Sequence, residues 1–440
     1  MTKKLVLIIV DGMTPAAFER AVSGDRAPAL KFLAEHGTYG KAVSVFPSLT
    51  PVCLSSIVTG GGPDVHHIPH LVWWSREQKR IVEYGSSFAA LRQAGMAQSL
   101  TDTIFNMNER HLAKSAVTVY EALEDAGFVT AAVNITCYRG RNLHRPTIPG
   151  VRPAYGPKRF FFYSLFESDV TGAPFAVRNR AGGTIDAYAA SVGRWLVTRD
   201  GFDFFAYYLS DFDYASHAQG PQGADDVLAR TDGSIQALFD AAGGPDEFLE
   251  RYAVILHSDH GQSDVWQTAR LENALREFAG EIVVTASNRA GQVYLLPNAR
   301  IDAAELAAKL DGEPSVDVSF RREGDVAIAH VDGDEIRFGP NESILEHPDA
   351  AHRAWSALAN PNAGDVLVSA AEGWEFADLG GQAHAGGGSH GSLSADDSFV
   401  PLVTVGIEAA PTRITEVAPA VLRHFGVELP AYQRSLARVA

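Results

Sequence analysis

The chain has 440 residues, 46% hydrophobic and 20% charged, a balance ordinary for a folded protein and enough for one large α/β domain with an insertion or for two domains. Its formal net charge of -16 excludes a nucleic-acid polymer as the main partner, because such binders present basic surfaces. Two cysteines, Cys53 and Cys137, are too few for a disulfide framework, and no apolar stretch is long enough to span a bilayer. The apolar run near the start covers only residues 5–10 and stops at Asp11, so the expectation is a soluble cytoplasmic protein.

Residues 5–10 (LVLIIV) have the pattern of a strand buried on both faces in a parallel sheet, with Asp11 at its carboxyl end. Residues 28–35 read as a helix leading to Gly37. In VFPSLTPVCLSSIVTG (45–60), Thr50 lies between a strand-like run and a small-residue run that can form a helix. Read by itself, Thr50 is a helix N-cap with Pro51 at the first helical position. The same layout sets a hydroxyl beside free backbone N–H groups at a helix start, where an anion binds well. Cys53, about one turn further on, reads as packing. Next, GGGPDVHHIPH brings His66, His67 and His70 together, with Pro63 and Pro69 suggesting a loop rim rather than a tetrahedral site.

Residues 116–126 predict a helix ending at Gly127, and 128–135 a strand, one βα alternation of a parallel sheet. From Cys137 to about Thr171 the chain is irregular and rich in arginine, proline and aromatics. It reads as loops at an active-site mouth, where Arg139, Arg141 and Arg145 are candidates to touch an anionic substrate. FFAYYL (204–209) is a second buried strand, followed by Asp213 and His217, one helical turn apart and so on one face if the segment coils. A helix over 224–242 and a strand over 253–256 lead to Asp259 and His260 in HSDHGQ. Residues 271–365, with short strands and a helix over 302–310, read as a smaller α+β insertion or cap. The core then comprises 1–270 and 366–440, its pattern resuming at Asp365 and passing through GGQAHAGGGSHGSL, which holds His390. A strand over 399–405 and a helix over 416–425 close the chain.

Asp11, Thr50, the Asp213/His217 pair and the Asp259/His260 pair thus follow separate strands, and His390 comes from a glycine-rich loop. In a parallel sheet all gather along one edge, where ligands of open α/β sheets bind. Carboxylates and imidazoles without a thiolate cluster suit Zn²⁺ or a similar divalent ion. Three of each suffice for two metals, which together clamp the attacking and leaving oxygens of a phosphoryl transfer. Beside such an ion the Thr50 hydroxyl becomes a nucleophile at neutral pH.

The ordered set IIVDG, FPSLTP with SIVTG, DFDYASHAQGP, HSDHGQ and GGSHGSL resembles the alkaline phosphatase superfamily, and within it the type I phosphodiesterase/nucleotide pyrophosphatase family. The resemblance covers the chain outside the insertion. It implies an alkaline-phosphatase-like α/β fold, a mostly parallel central sheet with helices on both faces. It further implies one metal held by Asp213, His217 and His390, and another held by Asp11, Asp259, His260 and the Thr50 oxygen. Two zinc ions and a phosphothreonine intermediate on Thr50 complete the implied chemistry. The substrate would be a small phosphoester or phosphonate, with His70, Arg139 and Arg141 as candidate contacts. Nucleotide pyrophosphatases follow the nucleophile with a His-Gly-Ile stretch and an asparagine, where this chain has His66-His67-Ile68 and Leu71. Phosphonate hydrolysis of the phosphonoacetate hydrolase type, or phosphomonoester hydrolysis, therefore stands beside phosphodiester cleavage, and a non-catalytic metal-binding protein is the alternative of another class.

Overall fold

The computed structural model describes residues 2–168 and 184–436, so the far end of the loop stretch expected to reach Thr171 lies outside the described residues. An eight-stranded sheet runs in the order Thr38–Val43, Phe399–Val405, Tyr252–His257, Lys4–Val10, Phe204–Leu209, Thr130–Val133, Arg159–Phe162 and Phe166–Glu167. From Tyr252–His257 to Arg159–Phe162 the neighbours are parallel. Phe399–Val405 is antiparallel to both of its neighbours, and Phe166–Glu167 is antiparallel to Arg159–Phe162.

Continuous apolar strands form here because both faces are covered. Leu5, Leu7 and Ile9 point into one core and Val6, Ile8 and Val10 into the other, the period of two that a strand imposes. One face is packed by the helices Thr50–Thr59, Val119–Asp125 and Val417–His424, through Val52, Ile57, Val119, Leu123, Val417 and Val421. The other carries Pro28–His36, Ile185–Thr198 and Asp225–Ala242, through Leu30, Leu33, Val192, Leu196, Ile235 and Leu238. The helix expected over 116–126 starts later than its apolar pattern suggested. Thr118 closes a capping box there, its Oγ1 accepting from the Glu121 N–H at 3.1 Å while Glu121 Oε2 accepts from the Thr118 N–H at 3.0 Å.

A second, fully antiparallel sheet has the order Ile282–Ser287, Ala290–Leu295, Val366–Ala370, Val316–Glu323, Val326–Val331 and Asp334–Phe338. Helices Ala303–Asp311 and Ala350–Leu358 pack on it. The strand over 366–370, expected to rejoin the main sheet, instead lies in the middle of this lobe. Its five residues are all buried, and a run covered on both faces reads alike in either sheet.

Strand direction decides what reaches the site. The strands ending at Val10, Val43, Leu209 and His257 all point their carboxyl ends to one edge, as their registers require. Phe399–Val405 runs the opposite way, so it begins at that same edge, and the loop before it brings His390 there. Among the described residues no helix is long and apolar enough to cross a membrane.

Candidate active site and metal centre

Each ligand candidate except His217 sits one to four residues beyond a strand or at the start of a helix, and His217 lies in the last turn of the helix that carries Asp213. Gly12 turns at φ +68°, and a Cβ there would lie 2.7 Å from Asp213 Oδ1, so the residue after Asp11 has room for glycine alone. Asp213 and His217 lie in the helix Asp211–Gln219, and that turn brings His217 Nε2 to 3.4 Å from Asp213 Oδ2. Thr50 is the first residue of the helix Thr50–Thr59, and the N-cap is Leu49, in extended conformation with no side-chain bond. The capping reading of Thr50 is thereby corrected. Its hydroxyl is not folded back on the helix start but lies 3.2 Å from His260 Nε2. The expected row of free N–H groups is corrected as well: Pro51 has none, and the Val52 and Cys53 N–H groups both donate to the Leu49 carbonyl at 2.9 Å, which leaves the Thr50 N–H for an anion.

The structure gathers the expected ligands in two groups, with His260 standing where His217 was expected beside Asp213 and His390. Asp11, Asp259 and His260 offer ligand atoms all within 4.8 Å of one another, and so do Asp213, His260 and His390. His260 is shared: its Nε2 lies 3.2 Å from Asp11 Oδ1 and 3.5 Å from Asp259 Oδ2, and its ring stacks on His390 at 3.6 Å between centroids. The His217 ring lies 5.2 Å from that of His390. All three imidazoles are aimed the same way. His217 Nδ1 lies 2.8 Å from the Gly388 carbonyl, His260 Nδ1 3.0 Å from the Gly261 carbonyl, and His390 Nδ1 2.7 Å from the Ser48 carbonyl. Each therefore carries its proton on Nδ1 and turns Nε2 inward, the arrangement that orients histidines toward a metal.

Electrostatics argue for a cation. Asp11 Oδ1 and Asp259 Oδ2 are buried without a hydrogen-bond partner. Burial, and next the charges of Asp259 and Asp213, raise the Asp11 carboxyl well above its usual range. Burial, with the charge of Asp213 adding to it, pushes Asp259 up to about 7. For Asp213, burial is outweighed by His217, which with His390 and His260 holds it below the ordinary carboxylate range. His217 is correspondingly pushed up to about 9 by Asp213 against the effect of burial. Orphaned carboxylate oxygens beside inward-facing Nε2 atoms form a hard-oxygen and imidazole donor set that fits divalent cations.

Several partners of the ligands were not foreseen. Tyr208 donates its hydroxyl to Asp11 Oδ2. Gln262 donates to Asp213 Oδ1, and Ser216 fixes that amide by donating to Gln262 Oε1. Gln262 closes the HSDHGQ stretch, so its presence was visible although its role was not. Asn288 Nδ2 lies 3.1 Å from His390 Nε2, and nothing in the sequence near Asn288 announced it.

The remaining candidates are placed elsewhere in the hydrogen-bond network. His70 is buried, accepts from the Val72 N–H through Nδ1 and is pushed down to about 4 by burial, so it is neutral. His66 lies 3.0 Å from Ser56 Oγ and accepts from the Ile68 N–H, in keeping with a loop support. Arg139 holds Glu121 at 3.2 Å and donates to the carbonyls of Leu112 and Ala113, while Arg141 pairs with Glu121 and Asp125. Cys53 is fully buried, as packing requires.

The comparison that decides the family is a match to the family model for type I phosphodiesterase/nucleotide pyrophosphatase over residues 5–393. The chain belongs to this family. It is therefore a phosphoester hydrolase of the alkaline phosphatase superfamily. Its fold is similar to that of the phosphonoacetate hydrolase from Sinorhizobium meliloti 1021, solved with phosphonoformate and with phosphonoacetate, at a TM-score of 0.65, 18% identity and 96% coverage of both chains. It is also similar to murine ectonucleotide pyrophosphatase/phosphodiesterase 5, an inactive form of which was solved with AMP. That likeness has a TM-score of 0.63 and 13% identity over 97% of this chain and 96% of the other. No protein among those with curated functions matches the chain.

Proposed function

We propose that this member of the type I phosphodiesterase/nucleotide pyrophosphatase family is a two-zinc hydrolase that cleaves small phosphodiesters through a phosphothreonine on Thr50. The observation that carries the reading is the position of Thr50 Oγ1, 3.2 Å from His260 Nε2 and at the start of a helix, in direct contact with the Asp–His cluster. Asp213, His217 and His390 would hold one ion, and Asp11, Asp259, His260 and Thr50 the other. When bound, such ions neutralise the charge of the phosphoryl oxygens and lower the pKa of the hydroxyl.

The chain's own groups do the rest. Thr50 Oγ1 attacks phosphorus and loses its proton as the new P–O bond forms, while the ester P–O bond opposite it breaks and the leaving alkoxide takes up a proton. Water then attacks the phosphothreonine, which still carries the second ester group, so that its P–O bond to Thr50 Oγ1 breaks, Oγ1 is reprotonated and the phosphomonoester is released. The Thr50 N–H, at the first position of its helix, holds a phosphoryl oxygen through both displacements. Tyr208 and Gln262 keep Asp11 and Asp213 in place.

Cleavage of a C–P bond is the second reading. It is favoured by Leu71, where nucleotide pyrophosphatases carry an asparagine, and by the likeness in fold to a phosphonoacetate hydrolase. Specificity constants for a chromogenic diester, its monoester and phosphonoacetate, measured on zinc-loaded protein, discriminate the two. A clear preference for the diester supports the first reading, and turnover of phosphonoacetate alone overturns it. Zinc-loaded protein that turns over none of the three sinks both.

A further inference from the structure

The turn between the strands Ile282–Ser287 and Ala290–Leu295 carries Asn288 from the smaller lobe into the metal centre. Asn288 is only 6% exposed and sits in the left-handed region at φ +57°, which asparagine tolerates better than most residues. Its Oδ1 accepts from Ser287 Oγ at 2.9 Å, and its carbonyl accepts from the Phe376 N–H at 2.7 Å. Next to it, the Arg289 N–H donates to the His390 carbonyl at 2.8 Å, and the buried Arg289 guanidinium donates to Asp397 Oδ1 at 2.9 Å. The turn is thus held from both sides, and its amide has a fixed direction.

That direction is toward the inward-facing nitrogen of a ligand candidate. His390 keeps its proton on Nδ1, against the Ser48 carbonyl, so Nε2 is a lone pair and the Asn288 amide is the donor across the 3.1 Å contact. One imidazole lone pair serves one partner. A metal on His390 Nε2 would take that acceptor away and leave a buried NH2 group facing the ion's other ligands, and a buried donor without a partner is unfavourable. The acceptor that restores the bond is an oxygen of a group bound to the ion.

We propose that Asn288 is a substrate-binding residue, donating from Nδ2 to an oxygen of the phosphoryl or phosphonyl group. The lobe thereby contributes directly to the pocket formed by the main sheet. This inference rests on the metal-dependent reading above and adds a contact from an element outside the ligand motifs.

The test measures binding of inorganic phosphate to zinc-loaded protein by calorimetry, beside metal content by elemental analysis and zinc affinity by chelator competition. Asn288→Gly removes the amide at a φ that glycine accepts without strain. Asn288→Asp keeps the size and the Oδ1 acceptor but replaces the donor with a negative charge. Both variants are expected to keep the melting profile and metal content while losing phosphate affinity, by roughly tenfold to a hundredfold for a hydrogen bond to a charged group. Asn288→Asp is expected to bind zinc at least as tightly as the unaltered protein. Unchanged phosphate affinity in Asn288→Gly overturns the proposal, as does loss of zinc in step with loss of phosphate, which makes Asn288 a support for His390 only. If the unaltered protein binds no zinc, the fault lies with the metal reading, and that control separates the two.

Discussion

Thr50 Oγ1 and His260 Nε2 face each other at 3.2 Å, the first residue of a helix against an imidazole that also meets Asp11 and Asp259. A hydroxyl held there is positioned by two elements at once, and its removal tests more than a contact. Thr50→Ala is expected to lower kcat by about a thousandfold or more, which corresponds to roughly 4 kcal/mol of barrier. Thr50→Ser should retain measurable turnover. Mass spectrometry of acid-quenched protein should find the substrate's phosphoryl group on residue 50 in the unaltered chain and not in Thr50→Ala. Full activity in Thr50→Ala excludes it as the nucleophile.

Metal binding should release protons. The Asp259 carboxyl is raised to about 7 and His217 to about 9, so near neutral pH both hold protons that a cation must displace. Zinc added to weakly buffered apoprotein is expected to acidify the solution. Apparent zinc affinity should fall as pH drops below about 9, where His217 takes up its proton, and more steeply below about 7, where Asp259 does. Affinity independent of pH between 5 and 8 contradicts the assignment of Asp259 as a ligand.

Glu83 gives a pH effect away from the site. It is fully buried, accepts from the Gly85 and Ser86 N–H groups through Oε1, and leaves Oε2 without a partner. Burial pushes its carboxyl up to about 7. A folded-state pKa above the unfolded one means that the contribution is complete at low pH and lost as pH rises through 7. Glu83→Gln does not titrate, so its melting temperature should gain on that of the unaltered protein between pH 5 and pH 8. A constant difference across that range refutes the assignment.

Arg289 and Asp397 form an ion pair buried on both sides, so breaking one half leaves a charge without compensation. Arg289→Ala is expected to cost about 3–5 kcal/mol in denaturant unfolding. Arg289→Ala should also loosen the loop that carries His390, and amide exchange at Gly391 and Ser392 should rise. A loss under 1 kcal/mol would show that the site relaxes or admits water.

The metal-ligand candidates were legible because their signal is local. A buried apolar run, then Asp or His, then a glycine or a helix start, is written in consecutive residues such as IIVDG and HSDHGQ. Thr50 was legible as a helix start, but its capping role was read wrongly, since sequence does not show whether a hydroxyl turns to its own backbone or to His260. Val366–Ala370 was assigned to the wrong sheet, because burial on both faces does not name the partner strands. Asn288 left no trace at all. It owes its place to a hairpin turn whose position relative to His390 is set by long-range pairing with Phe376 and Ala370.

The antiparallel strand Phe399–Val405 has a consequence for how the cage of ligands is closed. Because that strand starts at the edge where the parallel strands end, the loop before it crosses the site from the far side of the sheet and fastens His390 against the Ser48 carbonyl. A chain cut before residue 390 keeps the Asp11, Asp213 and Asp259 carboxylates but lacks one imidazole of the set. The cage is thus shut by a reversal of chain direction rather than by continued parallel winding.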